Sequence, residues 1–243
     1  MISKATISFI QSLKQKKYRQ KYNKFLLEGD KIITEGLKEG NISFDSIYCT
    51  PEKASLFDDI KIKYNIIDGK SIRKISNLKT PPGILAVANI PAQPEIDYIK
   101  LAGRVLYLDD LRDPGNMGTI IRSADWFGVA TIVASHESVE FYNPKVIQAS
   151  MGSFARVNLI NAHISELKCD LPIYGTSMIG ESIYEFKAPK EMILVIGSES
   201  HGVSEEVKNH SKGVLTIPRS PKSGAESLNA GVATAILLSH IMK

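Results

Sequence analysis

In the second half of this 243-residue chain, short apolar runs alternate with segments of helical periodicity, and that order leaves few folds open. Runs at 104–108, 130–134, 155–160, 172–176, 192–196 and 213–217 have the length of strands. Helical patterns fall at 117–127, 143–151, 203–209 and 225–241. Strands that alternate with helices need crossover connections, so the spacing predicts a parallel sheet with helices on both faces. In such a sheet ligands bind outside the carboxyl ends of the strands. Three polar, glycine-punctuated segments follow three of the runs. They are Asp113-Pro114-Gly115-Asn116-Met117-Gly118, Gly197-Ser198-Glu199-Ser200-His201-Gly202 and Ser227-Leu228-Asn229. All three can face one pocket, which would then hold two Asn, a Glu, a Ser and, one turn into a helix, Arg122. The set suits a polar substrate and a cofactor, and it contains no metal-ligand cluster.

The first part reads as a separate small α/β domain. A short helix at 7–13 precedes a basic stretch, and 25–27 reads as a strand that exits at Glu28-Gly29. Asp30 then caps a helix with Ile32, Ile33, Gly36 and Leu37 at helical spacing, closed by Gly40-Asn41. Further strands fall at 46–49, 64–67 and 84–90. Pro91-Ala92-Gln93-Pro94-Glu95 is poor in structure-forming residues. The division is therefore 1–92, a linker at 93–102, and 103–243.

No run of transmembrane length and no signal-peptide core occurs, so the default expectation is a soluble cytoplasmic protein without membrane contact. Cys49 and Cys169 sit in no C-x-x-C pair and read as two buried thiols, without disulfide or zinc. Net charge is only +4, but Lys4, Lys14, Lys16, Lys17, Arg19, Lys21 and Lys24 all precede Glu28, the first acidic residue. Tyr18, Tyr22 and Phe25 are interleaved. Basic groups neutralise phosphates and aromatic faces stack on unpaired bases, so Lys17, Arg19, Lys21 and Phe25 are candidate nucleic-acid contacts. A solvated basic helix explains the same stretch.

Asn116 is placed to cap the helix that follows, and Arg122 near a helix N-terminus favours an anion or phosphodiester. A capping Asn with a surface Arg reads equally well from these two residues alone. No P-loop and no dinucleotide fingerprint is present. Glu199 stands between Gly197 and Gly202, where it can pair with Arg122 or orient a hydroxyl. His201 reads as a locally bonded loop residue rather than a general base. The stretch 218–224 is irregular because of its prolines and glycine. The last helix then begins near Glu226, with Ser227 and Asn229 in its first turn.

In order and spacing these segments resemble the three motifs of the SpoU (TrmH-type) family of RNA ribose 2′-O-methyltransferases, in the SPOUT superfamily. The first resemblance runs from Leu108 through Gly118 to Arg122-Ser123-Ala124. The second runs through Gly197, Glu199 and Gly202, and the third through Ile217-Pro218 and Ser227-Leu228-Asn229. Pro144-Lys145-Val146 and Ala149-Ser150-Met151-Gly152 also fit the pattern. In the first half, Lys17-Tyr18-Arg19, Phe25-Leu26-Leu27-Glu28-Gly29 and Thr80-Pro81-Pro82-Gly83 resemble the substrate-binding domain often found in this family, which is akin to a ribosomal-protein fold.

The resemblance implies a C-terminal α/β trefoil-knot domain that binds S-adenosyl-L-methionine, and a homodimer with active sites at the subunit interface. It implies methylation of a ribose 2′-hydroxyl in RNA, with ribosomal RNA favoured over tRNA. It places Arg122, Asn116, Glu199, Ser227 and Asn229 in catalysis. It places Thr176, Ile196, Gly197, Ile217, Ser227, Leu228 and Asn229 at the cofactor, and Arg122 and Lys145 beside the N-terminal RNA contacts. A base role is often proposed for the arginine. A guanidinium rarely releases its proton, so the physics favours an orienting and charge-stabilising role. Ser200 and His201 stand where small residues are frequent, and Gly231 where Ser is frequent. The competing classes are a non-catalytic RNA-binding protein that keeps the fold, and a methyltransferase for protein or small molecules.

Overall fold

The structure, a computed structural model, describes residues 2–60, 62–94 and 101–243. Contacts divide the chain into two units: Met1–Ala92 with Tyr142–Ala155, and Gln93–Phe141 with Arg156–Lys243. Residues 95–100 of the expected linker lie outside the described residues.

The first unit is built on a four-stranded sheet of β1 (Lys24–Glu28), β2 (Phe44–Cys49), β3 (Asn65–Ile66) and β4 (Ile84–Asn89), in the order β1-β4-β2-β3. β4 is antiparallel to both neighbours, and only β2 and β3 run parallel. The helices are α1 (Lys4–Ser12), α2 (Lys16–Tyr22), α3 (Asp30–Glu39) and α4 (Gly69–Ile75). Both faces of β1 are covered. Leu26 joins Ile10, Leu13, Ile72 and Ile75 in one cluster, whereas Phe25, on the opposite face, packs on Tyr142 and Phe154 with ring centroids 4.8 and 6.0 Å away. Those two rings flank the helix at Pro144–Ser150 (here α6), which is why that segment clusters with the first unit. α2 and α4 are not marked by apolar periodicity. Asp68 starts α4 by accepting the amides of Lys70 and Ser71 at 2.9 Å, and Gly29 rather than Asp30 occupies the cap position of α3.

The second unit is a six-stranded, wholly parallel sheet of β5 (Arg104–Leu108), β6 (Thr131–Ala134), β7 (Asn158–Asn161), β8 (Ile173–Ser182), β9 (Met192–Ile196) and β10 (Gly213–Thr216). Its order is β10-β8-β9-β5-β6-β7. The chain leaves β5 in one direction through β6 and β7, then returns to build the other half. Its helices are α5 (Pro114–Phe127), α7 (Glu205–His210) and α8 (Ala230–Ile241). Every residue of β9 is buried. Val105, Tyr107, Ile193 and Val195 pack with Val203 and Val207 of the α7 region, while the alternate residues Leu106, Leu108 and Leu194 are equally buried. A sheet covered on both faces gives continuous apolar runs, and hence the six runs in the sequence.

Four local expectations are corrected. α5 begins at Pro114, because the Asp113 carboxylate accepts the Asn116 amide at 2.7 Å and proline suits the first helical position. α8 begins at Ala230 with Asn229 as its cap, so Ser227 stands outside the helix. β8 runs to Ser182 instead of ending near 176; between its two stretches paired with β10, residues 176–180 leave the ladder. Cys49 is buried, but Cys169 is only half-buried. Among the described residues no helix is long and apolar enough to cross a membrane.

Candidate active site

A cavity of about 450 Å³ opens at the carboxyl ends of β8, β9 and β10. Its walls come from four places: the excursion of β8 (Thr176–Met178), the loop after β9 (Gly197, Ser198, Glu199 and Gly202), the segment 215–228, and the buried side of α8. Thr176 is tied to β9 by its hydroxyl, which donates to the Val195 carbonyl at 2.8 Å. At Gly180, where β8 rejoins the ladder, an added Cβ would stand 2.4 Å from the Val214 carbonyl oxygen, so only glycine lets the strands close.

The loop after β9 is a tight backbone clasp. Ser198 and Gly202 exchange amide–carbonyl hydrogen bonds of 3.0 and 2.9 Å, and Gly202 takes φ +68°. The clasp is also anchored from below. Asp109, at the end of β5, is buried; its amide donates to the Ile196 carbonyl at 2.9 Å, and its carboxylate accepts the Ser204 amide at 2.6 Å. Sequence reasoning missed this role. The available signal was an acidic residue directly after a fully apolar strand.

Glu199 projects from the clasp and accepts a hydrogen bond from the Asn116 side-chain amide. The carbonyl of Asn116 accepts in turn from the Asn229 side-chain amide at 2.8 Å. Asn229 Oδ1 receives the Gly231 and Val232 amides at 3.0 and 3.2 Å. A carboxylate only accepts, and a cap oxygen must accept, so every amide in this chain has one allowed orientation. Asn116 is therefore held at both ends instead of serving as a helix cap. α8 and α5 approach closely here: a Cβ on Gly231 would lie 3.0 Å from Thr119 Cγ2, so a serine at this position would require Thr119 to shift.

The cavity wall includes Thr176, Ile196, Gly197, Ile217, Ser227 and Leu228. Asn229 is adjacent to them in sequence and bonded to Asn116. Arg122 lies apart. It is exposed on α5, and among the described residues its guanidinium makes no hydrogen bond or ion pair, so the pairing with Glu199 is not formed within the chain. His201 is exposed, its amide bonded to Ser198 Oγ at 3.1 Å. Among the described residues one group of potential metal ligands occurs, His136, His163 and Glu166, at the carboxyl ends of β6 and β7. None of the three lines the cavity.

The N-terminal residues divide differently from the expectation. Phe25 is fully buried and cannot stack on a base. Arg19 is 2% exposed, and its Nη1 donates to the Leu13 and Lys14 carbonyls at 2.7 and 2.8 Å, so it holds the α1–α2 turn from inside. Lys17, Lys21 and Lys145 remain exposed.

The residues fit S-adenosylmethionine. The volume is within the usual range for small-ligand sites, roughly 300–1,000 Å³. Ile196, Leu215, Ile217 and Leu237 provide apolar walls for a purine. At Gly197 an added Cβ would stand 2.2 Å from the Gly202 backbone, leaving the clasp with no side chain between its strands. The carboxylate of Glu199 suits a cationic sulfonium.

Comparison with known proteins agrees with the geometry. The sequence profile of the SpoU rRNA Methylase family matches residues 103–239, and that of the MRM3-like substrate binding domain matches residues 4–86. The 23S rRNA (guanosine(2553)-2′-O)-methyltransferase RlmP of Bacillus subtilis is 28% identical over 235 residues, covering 94% of this chain and 92% of its own. A solved TrmH-family structure from Porphyromonas gingivalis superposes with a TM-score of 0.86 at 35% identity, over 99% of this chain and 98% of that one. The SpoU methyltransferase AviRb of Streptomyces viridochromogenes, solved with its cofactor AdoMet, shares the fold with a TM-score of 0.86 at 21% identity, over 99% and 97% of the two chains. Fold and family profile thus define the class, a methylase whose larger unit is a parallel α/β sheet. The chain belongs to the SpoU rRNA methylase family.

Proposed function

We propose that this protein methylates a ribose 2′-hydroxyl of ribosomal RNA in the cytoplasm. One observation carries the reading at the level of residues. The amide chain Glu199–Asn116–Asn229 joins all three glycine-punctuated segments at one cavity, with every donor and acceptor direction fixed. The full-length similarity to a 23S rRNA 2′-O-methyltransferase supports ribosomal RNA over tRNA.

Ile196, Gly197, Ile217 and Leu228 would hold the adenosine end of S-adenosylmethionine, and Thr176, Ser227 and Asn229 the methionine end. Bound there, the cofactor supplies an electrophilic methyl on a sulfonium leaving group. With the cofactor bound, transfer would join the methyl carbon to the ribose 2′-oxygen as the bond to sulfur breaks, the hydroxyl proton passing to solvent. The protein's part is alignment and charge. Glu199 and Asn229 fix Asn116, which presents a rigid amide to the ribose, and preorganised groups of this kind contribute several kcal/mol. Arg122 orients the target phosphodiester and stabilises charge on the attacking oxygen.

Arg122 is outside the amide chain of its own subunit, and it stands on a face with Trp126, which is 83% exposed. Val232 on α8 is 49% exposed. These features support a homodimer in which Arg122 completes the partner's site; a knotted C-terminal thread rests on the family resemblance alone. The deciding assay incubates the protein with labelled S-adenosylmethionine and unmodified ribosomal RNA, with tRNA in parallel. Arg122→Ala should lose methyl transfer by at least about a hundredfold, the scale of a lost charge-stabilising donor, while still binding cofactor. Near-normal turnover removes Arg122 from the mechanism. If the wild-type protein transfers no methyl to either RNA, the chain is a binding protein on a retained fold.

A further inference from the structure

The N-terminal helix α2 has a built outer face that the catalytic site does not use. Arg19 turns inward, and this leaves Lys17 and Lys21, one turn apart, as one exposed stripe, with Tyr18 and Tyr22 as the stripe beside it. The two tyrosine rings stack, with centroids 6.2 Å apart and planes within 11°. Phe9 of α1 braces Tyr22 edge-on at 5.2 Å. Lys17 Nζ lies 4.9 Å from the Tyr18 ring centroid, and Lys21 Nζ lies 5.5 Å from that of Tyr22. Tyr22 nevertheless stays 38% exposed. No acidic side chain occurs in the chain before Glu28, and Glu28 is itself buried, its carboxylate taken by the Ser76 hydroxyl and the Asn77 amide. A pre-stacked aromatic pair beside two cations is therefore presented to solvent with no local anion from this stretch to neutralise it.

We propose that this face seats an unpaired stretch of RNA: a base extends the Tyr18–Tyr22 stack, and Lys17 and Lys21 neutralise the flanking phosphates. Duplex RNA hides its base faces, whereas splayed single-stranded bases stack readily on aromatic side chains. Stacking tolerates any base, so this seat supplies affinity and position, and the nucleotide to be methylated is chosen elsewhere. The choice of RNA as partner rests on the methyltransferase reading; the demand for an unpaired segment comes from the geometry of α2.

The test uses the full chain, with a fluorescent oligouridine and an RNA duplex of equal length as probes, and reads anisotropy across a salt series. Tyr22→Leu should weaken oligouridine binding by about fivefold or more, leave the salt dependence unchanged, and barely affect the duplex. Tyr22→Phe, which keeps the ring, should restore binding. Lys17→Gln with Lys21→Gln should flatten the log–log salt slope by about 1.4, two single-strand phosphates at ~0.7 each. Thermal melting of each variant separates lost binding from lost folding. Oligouridine binding that ignores Tyr22→Leu overturns the proposal, as does a preference for duplex. Methyl transfer to ribosomal RNA is measured alongside. An active enzyme with tyrosine-independent binding refutes the seat alone, and an inactive one with tyrosine-dependent binding refutes the enzyme alone.

Discussion

Replacing Gly197 by alanine tests the link between backbone packing and cofactor affinity most directly. Gly197 does not need a left-handed backbone, so its requirement for glycine is purely steric. A Cβ there would lie 2.2 Å from the Gly202 carbonyl carbon and 2.4 Å from both the Gly202 oxygen and the Val203 nitrogen, whereas ordinary contact begins at 3.4 Å. All three obstacles are backbone, so the two sides of the clasp must part by more than an ångström. That movement strains or breaks the two Ser198–Gly202 hydrogen bonds, each worth about 1 kcal/mol net. Overpacking adds about 1–3 kcal/mol. The strain falls on a loop end, which opens without unfolding the sheet, so the cost appears mainly as lost binding. At 1.4 kcal/mol per tenfold, a penalty of about 3–5 kcal/mol predicts S-adenosylmethionine binding weaker by at least about a hundredfold in calorimetry. Gly224→Ala is the control, since an added Cβ there meets open space. If Gly197→Ala binds cofactor within a factor of about three of the parent, the clasp does not shape the site and the steric argument is wrong.

Further substitutions separate structural from chemical roles. Asn229→Ala should cost about 1 kcal/mol of stability through loss of the α8 cap. Asn229→Asp keeps the cap oxygen and recovers that stability, but it removes the donor to Asn116 and should leave turnover down by about tenfold; a fully active Asp variant would break the amide chain as an explanation. Arg19→Met should lower the melting temperature, at about 2–4 kcal/mol for two carbonyls stripped of their buried donor. Unchanged melting with weaker RNA binding would instead return Arg19 to the surface. Burial pushes the Cys49 thiol above its ordinary value of 9.0, so at neutral pH alkylation should reach the half-buried Cys169 first and Cys49 only on unfolding. The raised value also means that burial of neutral Cys49 supports the fold below pH 9.0, and that this support fades as the pH climbs through the folded value.

Much of the second unit was legible because a sheet buried on both faces writes its strands as unbroken apolar runs. The helix starts were less so. Asp113, Asn116 and Asn229 are all residue types that cap helices, and the sequence does not say which is spent on a helix and which is free for chemistry. In the structure Asp113 and Asn229 take the caps, and Asn116 is released to meet Glu199. The excursion of β8 was invisible because it depends on how β10 docks beside Gly180. Arg19 and Phe25 were misjudged for a common reason. A basic stretch reads as solvated and an aromatic between lysines reads as exposed, yet one side chain meets carbonyls six and five residues back and the other meets rings more than a hundred residues away.

The sequence by itself determined the alternation that demands a parallel sheet, the glycines at the strand exits, and the set of amide, carboxylate and guanidinium groups available there. Periodicity and turn chemistry act between neighbours, so they survive in the linear text. Tertiary structure alone decided which of those groups meet. Asn116 lies 83 residues from Glu199 and 113 from Asn229, and only the strand order β8-β9-β5 brings their segments to one end of the sheet. It also decided which aromatic residues face water, because burial depends on what packs across the sheet and not on what stands next in the chain.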